Sequence, residues 1–562
     1  MKRVRPRRSL LIGILIVVAL LGITGIASCA VQDASEGTRS EAPATTPARI
    51  NGYRNVGYFP QWGIYARQFP MKALQDSGAV ENMSHINYAF GNIHHETLTC
   101  FEANKAQGSG PDGSDGASDA WADYGMAYDA AGSVAGIGDT ATQPLAGSFN
   151  QLRQLKAANP GLRAVISLGG WTWSKNFSRA AATDESRKAL VASCIDLYIK
   201  GNLPVIDGRG GSGAAAGIFD GIDIDWEWPG SDNGLDGNGV DAENDAENFR
   251  LLLREFREQL DAYGARTGAS YSLSAFLPAN PVDIEVGGWN DPELFEYLDF
   301  GNIQGYDLWG TWDPGLTGHQ ANLFDDPQDP RPDRERFSAD QAVKAYLDAG
   351  IDPAQLGLGL AMFGRGWVGA DSAEPWGAAT APAPGVEEPG LQDYDEVREV
   401  GEEFTDPALG AAWRFDGDQW WSYDNPETVR LKSDYILEKG LGGGMWWDLA
   451  GNRDGSLLAV LSDRLRDAPR GPARDRVTPE IAVQPSGTPK AAPGTPGATP
   501  AGVASLSAQE AADAEPVAWD EDGVYTEGRR VIFEGEVYRT QWWTRGDVPG
   551  VEQWGPWRPA DG

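Results

Sequence analysis

Only three of the 562 residues are cysteine and only four are histidine, which removes two common bases for chemistry. His85, His94, His95 and His319 have no zinc-like spacing with cysteine or with one another, so no metal centre is expected and no cofactor is implied. Basic residues are also scarce, 46 against 81 acidic ones, for a formal net charge of −35. A chain of that sign is a poor partner for nucleic acid or for an anionic lipid surface. Its one long apolar run, Leu10 to Ile26, follows the basic start MKRVRPRR and precedes the small residues IASCA. That run is short for a bilayer span, and the pattern predicts an export signal over residues 1–30.

Secretion is therefore the expected fate. The alternative is a lipid anchor on the outer face of the cytoplasmic membrane, because Ile26-Ala27-Ser28-Cys29 also fits a lipoprotein box with Cys29 as the modified residue. Beyond the signal only Cys100 and Cys194 remain. An oxidising compartment permits a bridge between them, although spacing does not show that they meet.

With 41% hydrophobic and 10% aromatic residues the chain has material for a large core. Residues 31–49 read as a tether rich in Ser, Thr, Pro and Ala. From 468 to 515 the composition turns to Pro, Ala, Gly and Thr, which builds no core and reads as a linker. A body at 50–467 and a tail at 516–562 are left.

In the body, eight short β-type runs recur: NVGYFPQWG, HINYAFGNI, RAVISLGGWTW, GIDIDWEWPG, YSLSAFLP, GNIQGYDLWG, QLGLGLAMFGRGW and GGGMWWDLAG. Between several lie helical patterns, clearest in ESRKALVASCIDLYIK, AENDAENFRLLLREFREQLDAYGA and SADQAVKAYLDAG. Eight strands alternating with helices predict an α/β fold, the (β/α)8 TIM barrel. Two inserts interrupt it, one around Glu96 to Thr142 and one from about 369 to 425.

The fourth run carries the chemistry. Read as a strand, FDGIDIDWEWPG sends Asp223, Asp225 and Glu227 to one face and Ile222, Ile224 and Trp226 to the other. In a barrel the isoleucines suit the helix layer, so the acids point inward and climb towards the C-terminal mouth. Neighbours two apart on a strand are about 6.6 Å apart. Two ionised carboxylates at that range repel by roughly 2.5 kcal/mol, enough to raise one pKa by about two units. One acid is thus expected to hold its proton near neutral pH, the state that a general acid needs.

Asp220-x-x-Asp223-x-Asp225-x-Glu227 resembles the signature of family 18 glycoside hydrolases, supported by SLGGWTWS at 167–174 and GYDLWGTWD at 305–313. The resemblance spans roughly 53–466. It implies that Glu227 is general acid and then base, with the substrate's own N-acetyl carbonyl as nucleophile and an oxazolinium intermediate. Asp225 would orient the acetamido group, Asp223 would share a proton with Asp225, and Asp220 would be support. Tyr306 would bond the acetamido oxygen, Asp307 would touch substrate and Trp447 would floor the sugar at the cut. Trp171, Tyr58, Phe90 and Arg365 are further candidates for the cleft lining. Gln304 stands where the family often has Met, which bears on the leaving-group side. The 369–425 insert is similar to a small α+β insertion that walls the cleft in some relatives, which implies a deep groove.

A calcium-loop pattern at Asp232, Asp236, Gly237 and Glu243 fails at its third position, Gly234, and no helix precedes it. It reads as a Gly/Asp-rich loop. In the tail, Val531–Phe533 and 537–542 read as a hairpin, a small all-β unit. The tail resembles carbohydrate-binding families 5 and 12 through Tyr538, Trp542, Trp543 and Trp554, with chitin as the implied ligand. Together these readings lead to a secreted, monomeric chitinase acting on chitin and N-acetylglucosamine oligosaccharides. An endo-β-N-acetylglucosaminidase and a non-hydrolytic chitinase-like lectin are the alternatives.

Overall fold

The structure, a computed structural model, describes residues 50–103 and 117–472 and, in the tail, 516–519, 524–525, 529–533, 535–540, 544–545, 549 and 557–559. The expected signal, the tether, Cys29, most of the linker and three tail tryptophans (Trp542, Trp543, Trp554) lie outside those residues. Among the described residues no helix is long and apolar enough to cross a membrane.

Eight parallel strands close on themselves. They are β1 (Arg54–Pro60), β2 (His85–Ile93), β3 (Arg163–Gly169), β4 (Gly221–Asp225), β5 (Ser272–Leu277), β6 (Phe300–Ile303), β7 (Leu356–Ala361) and β8 (Gly443–Trp447). Each pairs with the next, and β8 returns to β1 with Gly443 opposite Arg54. Each of the eight runs contributes one barrel strand, and the expected TIM barrel is what forms. Closure leaves no open sheet edge, so every strand is hydrogen-bonded on both sides. Ile222 and Ile224 are fully buried on the helix side of β4, as the alternation requires.

The predicted helices lie where the 3.6-residue period places them. Asp184–Cys194 starts at Thr183 and continues into a wider turn at Ile195–Ile199. Asp245–Thr267 ends at Gly268 in the left-handed region, and Ala339–Asp348 is capped by the Ser338 hydroxyl. Cys100 and Cys194 are joined by a disulfide with Cα atoms 4.9 Å apart, which ties the loop after β2 to that first helix.

The insertion's antiparallel sheet begins earlier than composition suggests. The apolar run QLGLGLAMFGRGW reads as one strand, yet it splits at Met362. Leu356–Ala361 stays in the barrel and Phe363–Val368 joins the insertion sheet with the strands at 381–382, 391–393, 402–406, 411–415 and 420–423. A second core of Trp309, Trp367, Trp413 and Trp420 fills that sheet's own interior.

The two ends of the barrel are clasped at its N-terminal face. Asn51, three residues before β1, donates from Nδ2 to the Ala468 carbonyl at 2.7 Å, and the Gly471 N–H donates back to the Asn51 carbonyl at 2.8 Å. Tyr53 adds a bond from its hydroxyl to the Pro469 carbonyl. The first residues of the composition-defined linker are therefore fastened to the barrel up to Gly471.

The tail is a separate unit. Its hairpin pairs Arg530–Phe533 with Glu536–Thr540, with Val531 opposite Tyr538, and Trp557–Pro559 adds a further strand. Val531 and Trp557 are buried with Trp519 and Tyr538 packed on them. Trp557 and Trp519 thus serve packing, and Tyr538 is half-buried on the hairpin.

Candidate active site

At the C-terminal mouth a cleft of about 1590 Å³ opens over the acidic strand. Asp223 is deepest and fully buried. It accepts from the Tyr58 hydroxyl at 2.7 Å, from Ser167 Oγ at 2.8 Å and from Ser274 Oγ at 2.5 Å. Burial pushes its carboxyl up and these three donors oppose the push. Asp225 is above it and nearly buried, and its Oδ1 accepts from no N–H or hydroxyl of the described residues.

Glu227 completes the ladder and is hydrogen-bonded to Asp225. Burial raises the Glu227 carboxyl to about 8. Asp225 is also held well above the usual carboxylate range, by burial first and then by the charges of Glu227 and Asp223. One expectation needs correcting here. The main cause of the raised proton affinity is removal from water rather than mutual repulsion, because these side chains lie inside the barrel where ionisation is costly. Asp223, expected to share a proton with Asp225, receives three hydroxyl donors, and the carboxyl hydrogen-bonded to Asp225 is that of Glu227.

Local backbone holds Glu227 from both ends. Its N–H donates to Ser174 Oγ at 2.9 Å, and Asn238 Nδ2 donates to its carbonyl at 2.9 Å. Ser174 belongs to the SLGGWTWS segment, whose Gly169 takes a left-handed φ of 104° where a Cβ would lie 2.3 Å from the Asp225 carbonyl oxygen. Asp220 accepts from the Ala164 N–H and pairs with Lys156 at 2.7 Å at the far end of β4. That matches its expected supporting role.

Aromatic residues floor the cleft. Trp447 contacts Phe90 in a stacked arrangement at 5.7 Å between ring centroids, and Tyr58 at 5.4 Å. Tyr306 is buried above Met445 with Asp225 and Glu227 nearby. Trp171 lines one rim at 47% exposure. Gln304 lines the wall and accepts from the Ala279 N–H. Arg365 donates to Asp307 at 2.7 Å and also pairs with Glu388. Tyr58, expected as lining, contributes its ring edge to the floor and commits its hydroxyl to Asp223.

Sequence reasoning missed several side chains of this site. Trp312 stands 59% exposed on the rim, within a quoted motif but with no role given. Trp62 packs against Phe90, Trp173 and Trp447, and its indole N–H donates to Glu387 at 2.7 Å. Arg67, 4% exposed along its side chain, bridges Glu387, Asp393 and Asp448 and so ties the loop after β1 to the insertion and to β8. Glu387 and Glu388, adjacent in sequence, therefore serve opposite sides of the cleft.

A closed barrel with a proton-holding acid in an aromatic-floored groove at its C-terminal mouth defines a glycoside-hydrolase type of site. The chain belongs to glycosyl hydrolases family 18, whose profile matches residues 54–452. The profile of carbohydrate-binding module family 5/12 matches residues 518–558. Chitinase C of Streptomyces lividans is 35% identical over 434 residues, covering 76% of this chain and 61% of that protein. Chitinase A1 of Niallia circulans is 32% identical over 470 residues, covering 78% and 62%. The chain thus matches less than two thirds of the length of these relatives. The solved catalytic domain of psychrophilic chitinase B from Arthrobacter TAD20 is 65% identical, with a TM-score of 0.75, and the alignment covers 77% of this chain and all of that domain.

Proposed function

We propose that this chain is a secreted chitinase that cleaves β-1,4 links between N-acetylglucosamine units with net retention, using the substrate's acetamido group as nucleophile. The observation that carries the reading is the contact between Asp225 and Glu227. Where a protein carboxylate is the nucleophile, the two acids flank the sugar about 5–5.5 Å apart, and in inverting enzymes they stand about 6.5–9.5 Å apart. Two acids hydrogen-bonded to each other leave no room for a sugar between them, and family 18 is a recognised exception to the two-carboxylate scheme.

Roles follow from position. Glu227 gives its proton to the glycosidic oxygen as the acetamido carbonyl attacks C1, and later takes a proton from the water that opens the oxazolinium ring. Asp225 Oδ1, which has no donor among the described residues, takes the acetamido N–H. Glu227 becomes a carboxylate as its proton leaves, and the acidic Asp225 beside it suits the site to a cationic intermediate. Tyr306 bonds the acetamido oxygen and Trp447 supports the pyranose face, for which a flat apolar ring is suited.

Product analysis on a hexamer of N-acetylglucosamine tests this. Fresh reducing ends in the β form, together with strong inhibition by a thiazoline mimic of the intermediate, are the expected results. An α product, or a sugar ester trapped on any carboxylate, would overturn it.

The tail is read as the part that holds the enzyme on insoluble chitin, with one or two of Trp542, Trp543 and Trp554 as the stacking residues. A chain ending at Pro472 keeps the clasp of Asn51 with Ala468 and Gly471. It is expected to lose about tenfold in rate on insoluble chitin and little on soluble oligomers, because tethering acts through local concentration. Equal losses on both substrates, measured as released reducing sugar, would remove that role.

A further inference from the structure

The Gly/Asp-rich loop after Glu227 folds back on the acid's backbone. Gly234 packs on the Glu227 carbonyl so closely that a Cβ would stand 2.4 Å from that oxygen, which Asn238 also bonds. Asp245 accepts from the Gly230 N–H, at the loop's near end, and from the Asp241 N–H, at its far end. A further mooring at its near end is Asp283, on the short helix Pro281–Val286 after β5. Ser231 Oγ and Asn233 Nδ2 both donate to Asp283 Oδ1, at 2.5 and 2.8 Å. Asp283 is 3% exposed and lines the same cleft as Glu227.

Apart from Asp225, two other carboxylates act on the Glu227 charge, Asp307 and then Asp283. They differ in one respect. Asp307 has the Arg365 guanidinium at 2.7 Å, whereas among the described residues no cation forms an ion pair with Asp283.

We propose that Asp283 is a positioning residue for the general acid: it moors the loop that grips the Glu227 backbone and, as a carboxyl that no cation of the described residues pairs with, sets a second acidic group on the cleft wall against Glu227. This rests on the reading of Glu227 as general acid. The ionisable groups facing Glu227 are Asp225, Asp307, Asp283 and Tyr306, and those facing Asp283 are Asp232, Tyr346 and Glu227. Burial raises the Asp283 carboxyl and its bonds from Ser231 and Asn233 oppose that, so these donors help to keep it charged. Removing a negative neighbour makes ionisation of Glu227 easier, so the basic limb of activity moves to lower pH.

The test is the pH profile of kcat/KM on a soluble N-acetylglucosamine oligomer for D283N and D283A in the full chain. D283N keeps an acceptor oxygen for both donors and removes the charge. Its basic limb is expected about half a pH unit below that of the parent, a threefold loss of proton affinity. D283A is expected to show the same displacement and a lower kcat at every pH, because the mooring goes too. A D283N limb at the parent position would overturn the role, and this variant decides alone if D283A does not fold. Full activity in E227Q would instead point to a failure of the underlying acid assignment.

Discussion

Glu227→Gln is expected to lower kcat on N-acetylglucosamine oligomers by about 10³-fold, within the range that general acid catalysis contributes. Glutamine keeps the size of the side chain, and the backbone bonds to Ser174 and from Asn238 do not depend on the carboxyl. What disappears is the proton that burial holds on the parent residue up to about pH 8. Without it the leaving sugar departs as an alkoxide, a far poorer leaving group. Calorimetry should still show oligomer binding in the cleft, because the aromatic floor of Trp447, Phe90 and Tyr58 is untouched. Turnover within tenfold of the parent would sink the assignment.

Lys432→Met is expected to destabilise the barrel by about 3–5 kcal/mol, the cost of leaving one buried charge without its partner. Lys432 and Asp424 have side chains with no exposed surface, and Nζ lies 2.6 and 2.7 Å from the two carboxylate oxygens. Asp424 also accepts from Thr428 Oγ1 and from the Ala361 N–H, so it joins the last insertion strand to the end of β7 and to the helix Pro426–Lys439. Burial lowers the proton affinity of Lys432 and the Asp424 charge opposes that. The double change K432M with D424N removes both charges and is expected to recover most of the loss. Urea midpoints at neutral pH measure both, and an unchanged midpoint in the single variant would contradict the account.

Features with a local period were readable in advance. The alternation of Ile222 and Ile224 with Asp223 and Asp225 places the acids inward before any coordinates are known. What could not be read depends on residues far apart in the chain. Trp62 and Glu387 are 325 positions apart, and nothing in the sequence near either names the other. The same holds for Arg67 with Asp448. The insertion boundary was obscured because β7 and the next strand are both apolar, and only the turn at Met362 separates them. The cause of the raised proton affinity was misjudged for a related reason: strand spacing gives the distance between charges, whereas their removal from water depends on the whole barrel.

The clasp of Asn51 with Ala468 and Gly471 means that the body begins and finishes at one place, on the face away from the catalytic mouth. A short peptide could splice residue 50 to residue 472, and new ends could be opened in a surface loop elsewhere. A rearranged chain of this kind would keep the groove intact, and a cargo attached at either natural end of the body would not block it.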